Sequence, residues 1–460
     1  MWKSIKRLVF VAILLYLTAF GCHKDPYGGG SGRRANVVSR EELAKEAVIA
    51  LWESINISSL GTKTTMSRPV ISSIESIDYP VSKSASLSEA QAYLLNFRNN
   101  EGFSVVQFKE GFPVVLALTE KGFFDKDKLF IQSATFESEA EAVVYGMVED
   151  ALSETSLPET KGGWRPGYHA NTYPSSEEYG VWYTDTIVHP IVHVKWGQEY
   201  PFNMNMPETP SSIPGFGPTS SYRGRYAVGC VIVAAMQIMT ATEHPYSITV
   251  GGNTYNLYMF SDVSFYGNCS QFAYNVYDDS VSTYLKSKTS QLAYLMYYFG
   301  QQIGATYLSN GETSAYYHLA MNYLADLDPQ MYGGYDVQYV GSGSFNYLTA
   351  IDQMLNNGKP LMVSGARERV KYVSGVEVKD TVGHAWVADG YLYRHKNIDD
   401  DISYTQHLVH FNWGYRGVYD GYYYDANISH RQLTDTSYDT NSGTYLPSRN
   451  YCLYTKYYPY

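Results

Sequence analysis

The spacing of apolar residues changes period several times along the chain. Ser39-Arg40-Glu41-Glu42 is a capping box, and Leu43, Ala47, Val48 and Leu51 after it share one helical face, which predicts a helix through about Ile55. The period then shortens. Ala92 to Arg98, Phe103 to Phe108 and Pro113 to Thr119 predict a three-stranded meander, divided by Asn99-Asn100-Glu101-Gly102 and Lys109-Glu110-Gly111. Glu137 to Leu152 returns to helix, and Ser153 to Gly163 is polar, carries Pro and Gly and has no apolar period, so it predicts a hinge. Further on, the glycine turn Arg225-Tyr226-Ala227-Val228-Gly229-Cys230 runs into an apolar stretch from Val231 to Met239. Ser290 to Ile303, Ser314 to Leu324 and Phe345 to Asn357 predict helices, the last stopped by Gly358-Lys359-Pro360 ahead of a strand from Leu361 to Gly365.

The first residues read as an address. Lys3, Lys6 and Arg7 precede an apolar run from Leu8 to Phe20, and Ala19-Phe20-Gly21-Cys22 follows as a lipoprotein-type cleavage site. The run is shorter than the roughly 20 residues a bilayer-spanning helix needs. Residues 1–22 are therefore expected to be removed as a signal, leaving Cys22 as a lipid-anchored N-terminus, and residues 23–38, with Gly28-Gly29-Gly30-Ser31-Gly32, to form a flexible tether. The expected location is the cell envelope, as an outer-membrane or surface lipoprotein.

Composition narrows the partners. The chain has 460 residues with 45% hydrophobic content, enough for more than one core, and a net charge of −11 with pI near 5.5. No basic face is available to neutralise phosphates, which argues against nucleic acid. The 46 tyrosines supply amphipathic aromatic surface without naming a ligand. Of the 4 cysteines, Cys22 is assigned to the anchor; Cys269 and Cys452 either pair or stay buried and reduced, and Cys230 is left free.

Cys230 carries the chemistry. A thiol at the first turn of a buried helix meets unpaired N–H groups and the positive end of the helix dipole, and both favour thiolate, the form that attacks carbonyl carbon. Val382-Gly383-His384-Ala385-Trp386-Val387-Ala388-Asp389-Gly390-Tyr391 predicts a strand entered through glycine with His384 at its start, and Leu408 to Gly414 a strand ending at Asn412. Nucleophile, base and orienting amide follow the order Cys230, His384, Asn412, with Asn412 expected to fix the imidazole tautomer. His244, His395, His407 and His410 lack the glycine-entered strand. No C-x2-C or H-E-x-x-H spacing occurs, so no metal or other cofactor is expected.

The segments GCVIVAAMQIM, VGHAWVADGY and HFNWG resemble the streptopain family of secreted bacterial cysteine peptidases. The resemblance implies an α+β, papain-like peptidase domain, helical part plus antiparallel sheet, over residues 190–460. It also implies a small α+β inhibitory propeptide domain over residues 39–155, on Asn96-Phe97, Gly102-Phe103 and Val105-Val106. Residues 156–189 become the linker that holds the activation cleavage. Lys195-Trp196-Gly197-Gln198-Glu199-Tyr200-Pro201-Phe202-Asn203 looks like the family's oxyanion segment, so Gln198 would donate to the oxyanion beside the Cys230 N–H, and Trp413 would shield the histidine–asparagine contact from water.

Substrates would be proteins or peptides, with the propeptide as an intramolecular inhibitor. Two stretches depart from the family: Ala366 to Thr381, read either as a charged flap or as a plain hairpin about Ser374-Gly375, and the polar stretch Arg394 to Gln406. Two other functions compete: a non-catalytic surface lipoprotein that binds host or glycan polymers, and a thiol acyltransferase in which an amine replaces water.

Overall fold

The computed structural model describes residues 39–57, 68–77, 92–109, 112–131, 136, 138–153, 182–243, 245–264, 283–327, 336–339, 358, 360–373, 376–397, 403–424 and 451–457. Residues 40–460 fall in one unit, which carries all the structure that follows. Cys22, the tether, the hinge from residue 154, the helix expected at Phe345 to Asn357, and Cys269 lie outside the described residues, as does the side chain of Cys452.

Helix α1, Arg40–Ile57, buries Ala44, Ala47, Val48, Leu51 and Ile55, the face its periodicity predicts. Four strands follow where three are expected: β1, Ile71–Ile77, then β2, Ala92–Phe97, β3, Phe103–Lys109, and β4, Phe112–Thr119. Strand β1 reads ISSIESI, and its serines hide the apolar alternation. Helix α2, Glu139–Ser153, and strand β5, Trp182–Val188, complete the first part.

The nucleophile helix α3 spans Cys230–Thr242. A small hairpin of β6, Ser247–Val250, and β7, Asn253–Asn256, precedes helix α4, Thr283–Gln302. Short strands β8, Thr306–Tyr307, and β9, Thr313–Ser314, lead to helix α5, Tyr317–Asp326. The remaining elements are strands: β10, Asp336–Tyr339, β11, Leu361–Val373, β12, Val376–Asn397, β13, Ser403–Asn412, β14, Gly421–Tyr424, and β15, Tyr451–Tyr457.

Eleven strands form one sheet in the order β1-β2-β3-β4-β14-β13-β12-β11-β15-β10, with β5 paired to the second half of β12. All of its pairings are antiparallel. The meander of the expected propeptide thus runs straight into the strands of the expected peptidase, with Thr119 opposite Gly421 and Leu118 opposite Tyr422. Gly421 is obligatory there, since a Cβ would stand 2.3 Å from the Leu118 carbonyl oxygen.

Alternation along β12 sets up two cores. Ala385 and Val387 face a cluster built on α3, α4 and α5, while Trp386 and Ala388 face a cluster shared with α1, α2 and β2 to β4. The chain is α+β, with helices against an antiparallel sheet. The described residues of both departures anticipated in the sequence belong to the sheet. Val373 pairs with Val376, so β11 and β12 form the hairpin rather than a separate flap. Arg394 and Gln406 are buried partners on β12 and β13 instead of polar loop ends, with guanidinium Nε and Nη2 donating to Gln406 Oε1 at 2.8 and 2.6 Å. Among the described residues, no helix is long and apolar enough to cross a membrane.

Candidate active site

Gly229 turns the chain into α3 at φ +97°, and a Cβ on it would lie 2.9 Å from the Thr313 carbonyl oxygen, so only glycine fits. Thr313 braces the same turn by donating its hydroxyl to the Ala227 carbonyl at 2.6 Å. The half-buried Cys230 is therefore the first residue of α3, and the backbone N–H groups of Cys230, Val231 and Ala385 face its sulfur. Even so, burial pushes the thiol up to about 12, Glu139 on α2 pushes in the same direction, and the N–H groups offset only part of this. The expected bias toward thiolate is reversed at rest, because desolvation outweighs the helix start.

His384 lies within β12, opposite Gly365 of β11, rather than at the start of a strand, which begins at Val376. The imidazole is 3% exposed, and its Nε2 lies 2.8 Å from the Trp413 carbonyl oxygen. A carbonyl can only accept, so Nε2 carries the proton and donates. Nδ1 is left as a bare lone pair, buried with no hydrogen-bond partner. Burial pulls the group down to about 4 against a small lift from the Trp413 carbonyl, so at neutral pH it is an uncharged base. No hydrogen bond joins Cys230 to His384; the sulfur meets the N–H of Ala385, the next residue on the strand.

Asn412 does not hold the imidazole directly, contrary to the expected role. Its Nδ2 donates to the Val194 carbonyl at 2.9 Å, and its Oδ1 accepts from the Gly414 N–H at 3.1 Å and from Gln237 Nε2 at 2.9 Å. The amide turns toward α3 because those two donors claim its oxygen, and the Trp413 main-chain carbonyl orients the imidazole in its place. The Trp413 N–H is in turn held by Asp420 Oδ1 at 2.9 Å.

The Trp413 indole is fully buried beside His384, with ring centroids 6.1 Å apart, so it lies where a shield against water is needed. Trp386 stacks on both rings, 6.1 Å from His384 and 4.6 Å from Trp413, and sequence reasoning had missed it. Its signal was the second position after His384 on the same strand face. Gln198 is buried, and its carbonyl accepts the Val228 N–H at 2.9 Å, which fastens its segment to the turn before Cys230. Among the described residues, no group of His, Cys, Asp and Glu is arranged to hold a metal ion.

A thiol at a helix start, a neutral histidine on the neighbouring strand and a main-chain acceptor fixing its tautomer are the parts of a cysteine-type peptidase. The Peptidase C10 family model, that of the streptopain family, matches residues 196–423 of this chain. The chain is a cysteine-type peptidase, a hydrolase. No curated protein matches it. Two solved structures from Prevotella intermedia are similar to it. A prointerpain A fragment shares 19% identity over 73% of this chain and 90% of that one, with a TM-score of 0.38. Active wild-type interpain A cysteine protease shares 22% over 52% and 87%, with a TM-score of 0.32.

Proposed function

We propose that the protein is an exported cysteine endopeptidase made as a zymogen, hydrolysing peptide bonds through an acyl-enzyme on Cys230. The observation that carries this reading is the Nε2–H tautomer of His384, which leaves a buried Nδ1 lone pair on the strand whose next N–H faces the Cys230 sulfur. In the mechanism His384 Nδ1 takes the thiol proton while the sulfur attacks the scissile carbonyl carbon. The Cys230 N–H and the Gln198 amide hold the oxyanion that forms. Collapse breaks the C–N bond, and the imidazolium gives its proton to the leaving amine. Water, deprotonated by His384, then attacks the thioester, and the second collapse releases the acid and returns a proton to sulfur.

Residues 40–153 are the inhibitory propeptide in this reading. Three observations support it: helix α2 packs against β11 and β12, Glu139 in its first turn raises the thiol, and β4 pairs with the strand that follows the Trp413 turn. Activation then has two tasks: to withdraw Glu139 and to let sulfur and Nδ1 meet. Cleavage falls N-terminal to β5, since a cut after it would require stripping a paired strand from β12. It would also free the peptidase from a lipid anchor at Cys22.

Incubation of the processed protein with unfolded casein, with and without a thiol-directed epoxide, tests the proposal. Inhibitor-sensitive fragments are expected. Amine incorporation would instead identify a transferase, and intact casein a binding protein.

A further inference from the structure

We infer that Gln237 is a positioning residue for catalysis, tying the tautomer of His384 to the helix that carries Cys230; the inference rests on the peptidase reading of those two residues. Gln237 lies on α3, fully buried within the run Val231 to Thr240. Its Nε2 donates to Asn412 Oδ1 at 2.9 Å and lies 3.5 Å from the Val194 carbonyl, the same carbonyl that receives Asn412 Nδ2 at 2.9 Å. These contacts fix which way the Asn412 amide faces, and its oxygen holds the Gly414 N–H at 3.1 Å.

The Gly414 N–H and the Trp413 carbonyl belong to one planar peptide group, so holding the N–H aims the carbonyl. That carbonyl accepts from His384 Nε2 at 2.8 Å and leaves Nδ1 as the base. Side-chain amide, side-chain amide, peptide plane and imidazole thus form one relay. It joins three elements at Asn412: the nucleophile helix, the Val194 segment that leads to Gln198, and the turn after β13.

Packing alone does not explain a glutamine here. Gln237 Oε1 is buried with no hydrogen-bond partner, a penalty an apolar side chain of equal length would avoid. What glutamine adds is the donor aimed at Asn412. Gly414, at φ +63°, completes the fit, since a Cβ there would stand 3.0 Å from Val233 Cγ1 and 3.9 Å from Gln237 Oε1.

The test compares wild type with Gln237→Met and Gln237→Leu, and with Thr240→Val as control, a buried residue of α3 whose hydroxyl has no hydrogen-bond partner. The rate of iodoacetamide alkylation of the Cys230 peptide is followed by mass spectrometry from about pH 5 to about pH 10, beside kcat and KM on a casein-derived peptide. The Gln237 variants are expected to lose about 10- to 100-fold in kcat with KM within about twofold. In the processed protein, where sulfur and Nδ1 meet, their alkylation is expected to decline near neutral pH toward that of an ordinary thiol, while Thr240→Val tracks wild type. A Gln237→Met alkylation profile superimposable on wild type overturns the inference, and so does a lowered Tm with unchanged kcat.

Should both apolar variants fail to fold, Gln237→Glu keeps the shape and supplies a donor only when protonated. Burial lifts a carboxyl at this position above its ordinary range near about 4, so the alkylation rate relative to wild type is expected to rise as pH falls toward about 5. A constant ratio overturns the inference. Absence of peptide turnover in wild type sinks the peptidase reading separately, because alkylation reads the coupling of thiol and imidazole without turnover.

Discussion

His384 and His410 sit on neighbouring strands, both buried at 3% and 0% exposure, yet their acidities move in opposite directions. His384 hydrogen-bonds only to a carbonyl, and burial draws it down to about 4. Burial also draws His410 down, but Asp389 at 2.6 Å from Nδ1 and Glu120 at 3.3 Å from Nε2 outweigh it and lift the group to about 9. Burial alone makes a base, and burial with carboxylates makes a fixed cation. The first suits proton transfer; the second holds a seam, because Glu120 follows β4 while Asp389 and His410 belong to β12 and β13. Lys195 joins the same seam, bridging Asp420 at 2.8 Å and Glu120 at 3.3 Å.

The comparison breaks most completely at the neutral centre. Cys230→Ala is expected to abolish turnover of casein and to leave the N-terminal part attached if maturation is self-catalysed, read by gel after incubation of the purified chain. Wild-type processing by that variant would refute self-activation. Next in size is Gln198→Ala. Removing one oxyanion donor typically costs about 3 to 4 kcal/mol of barrier, so kcat should fall by about two to three orders of magnitude with Tm unchanged. An unchanged kcat would remove Gln198 from the oxyanion site.

How much of this was legible in the chain divides along the same line. Gly229 before an apolar helix marks Cys230 because a local backbone demand leaves a local residue, whereas Gly383 beside His384 sits inside β12 with room for a Cβ and answers no such demand. Asn412 was found but its role was misjudged, since the group that meets His384 is a main-chain carbonyl, which every residue possesses and no sequence marks. His410 was set aside for want of a glycine-entered strand. Its partner Glu120 lies 290 residues away, so nothing near either one signals the pair. Gln237 looked like one polar residue in an apolar run until Asn412 was placed beside it. Strand β5 and the length of β12 were hidden because charged and polar residues, Arg394 and Gln406 among them, are buried as partners there.

At the charged seam the expected effects are on stability. Asp389→Asn removes one carboxylate from a fully buried pair and leaves an imidazolium short of charge, so a loss of about 3 kcal/mol is expected in denaturant unfolding. The pH dependence has two limbs. His410 rises from 6.5 to about 9 on folding, so its contribution is complete below pH 6.5 and fades as pH climbs through 9. For Glu120, burial pushes up but Lys195 and His410 pull it down from 4.5 to about 2, so its contribution is present above pH 4.5 and fades as pH drops toward 2. Glu120→Gln should therefore flatten both limbs of a Tm-against-pH curve, and a curve that keeps wild-type curvature would deny the seam its electrostatic role.

The smallest effect isolates the network from the mere presence of a pair. Lys126 and Glu75 approach to 3.3 Å, the same separation as Lys195 and Glu120. Their side chains are 36% and 37% exposed, against 27% and 25% in the seam, and Lys195 is also fastened to the fully buried Asp420. Water screens the outer pair and each long side chain loses rotamer freedom in forming it, so the two terms nearly cancel. Lys126→Met is expected to change unfolding free energy by less than about 0.5 kcal/mol, and added salt should leave even that difference undetectable. Lys195→Met, at the same pair distance, should cost several times more and resist salt, because it strands the fully buried Asp420 without its cation. Equal losses from the two substitutions, measured in parallel denaturant titrations, would mean that the separation of the charges and not their burial in a network decides their worth.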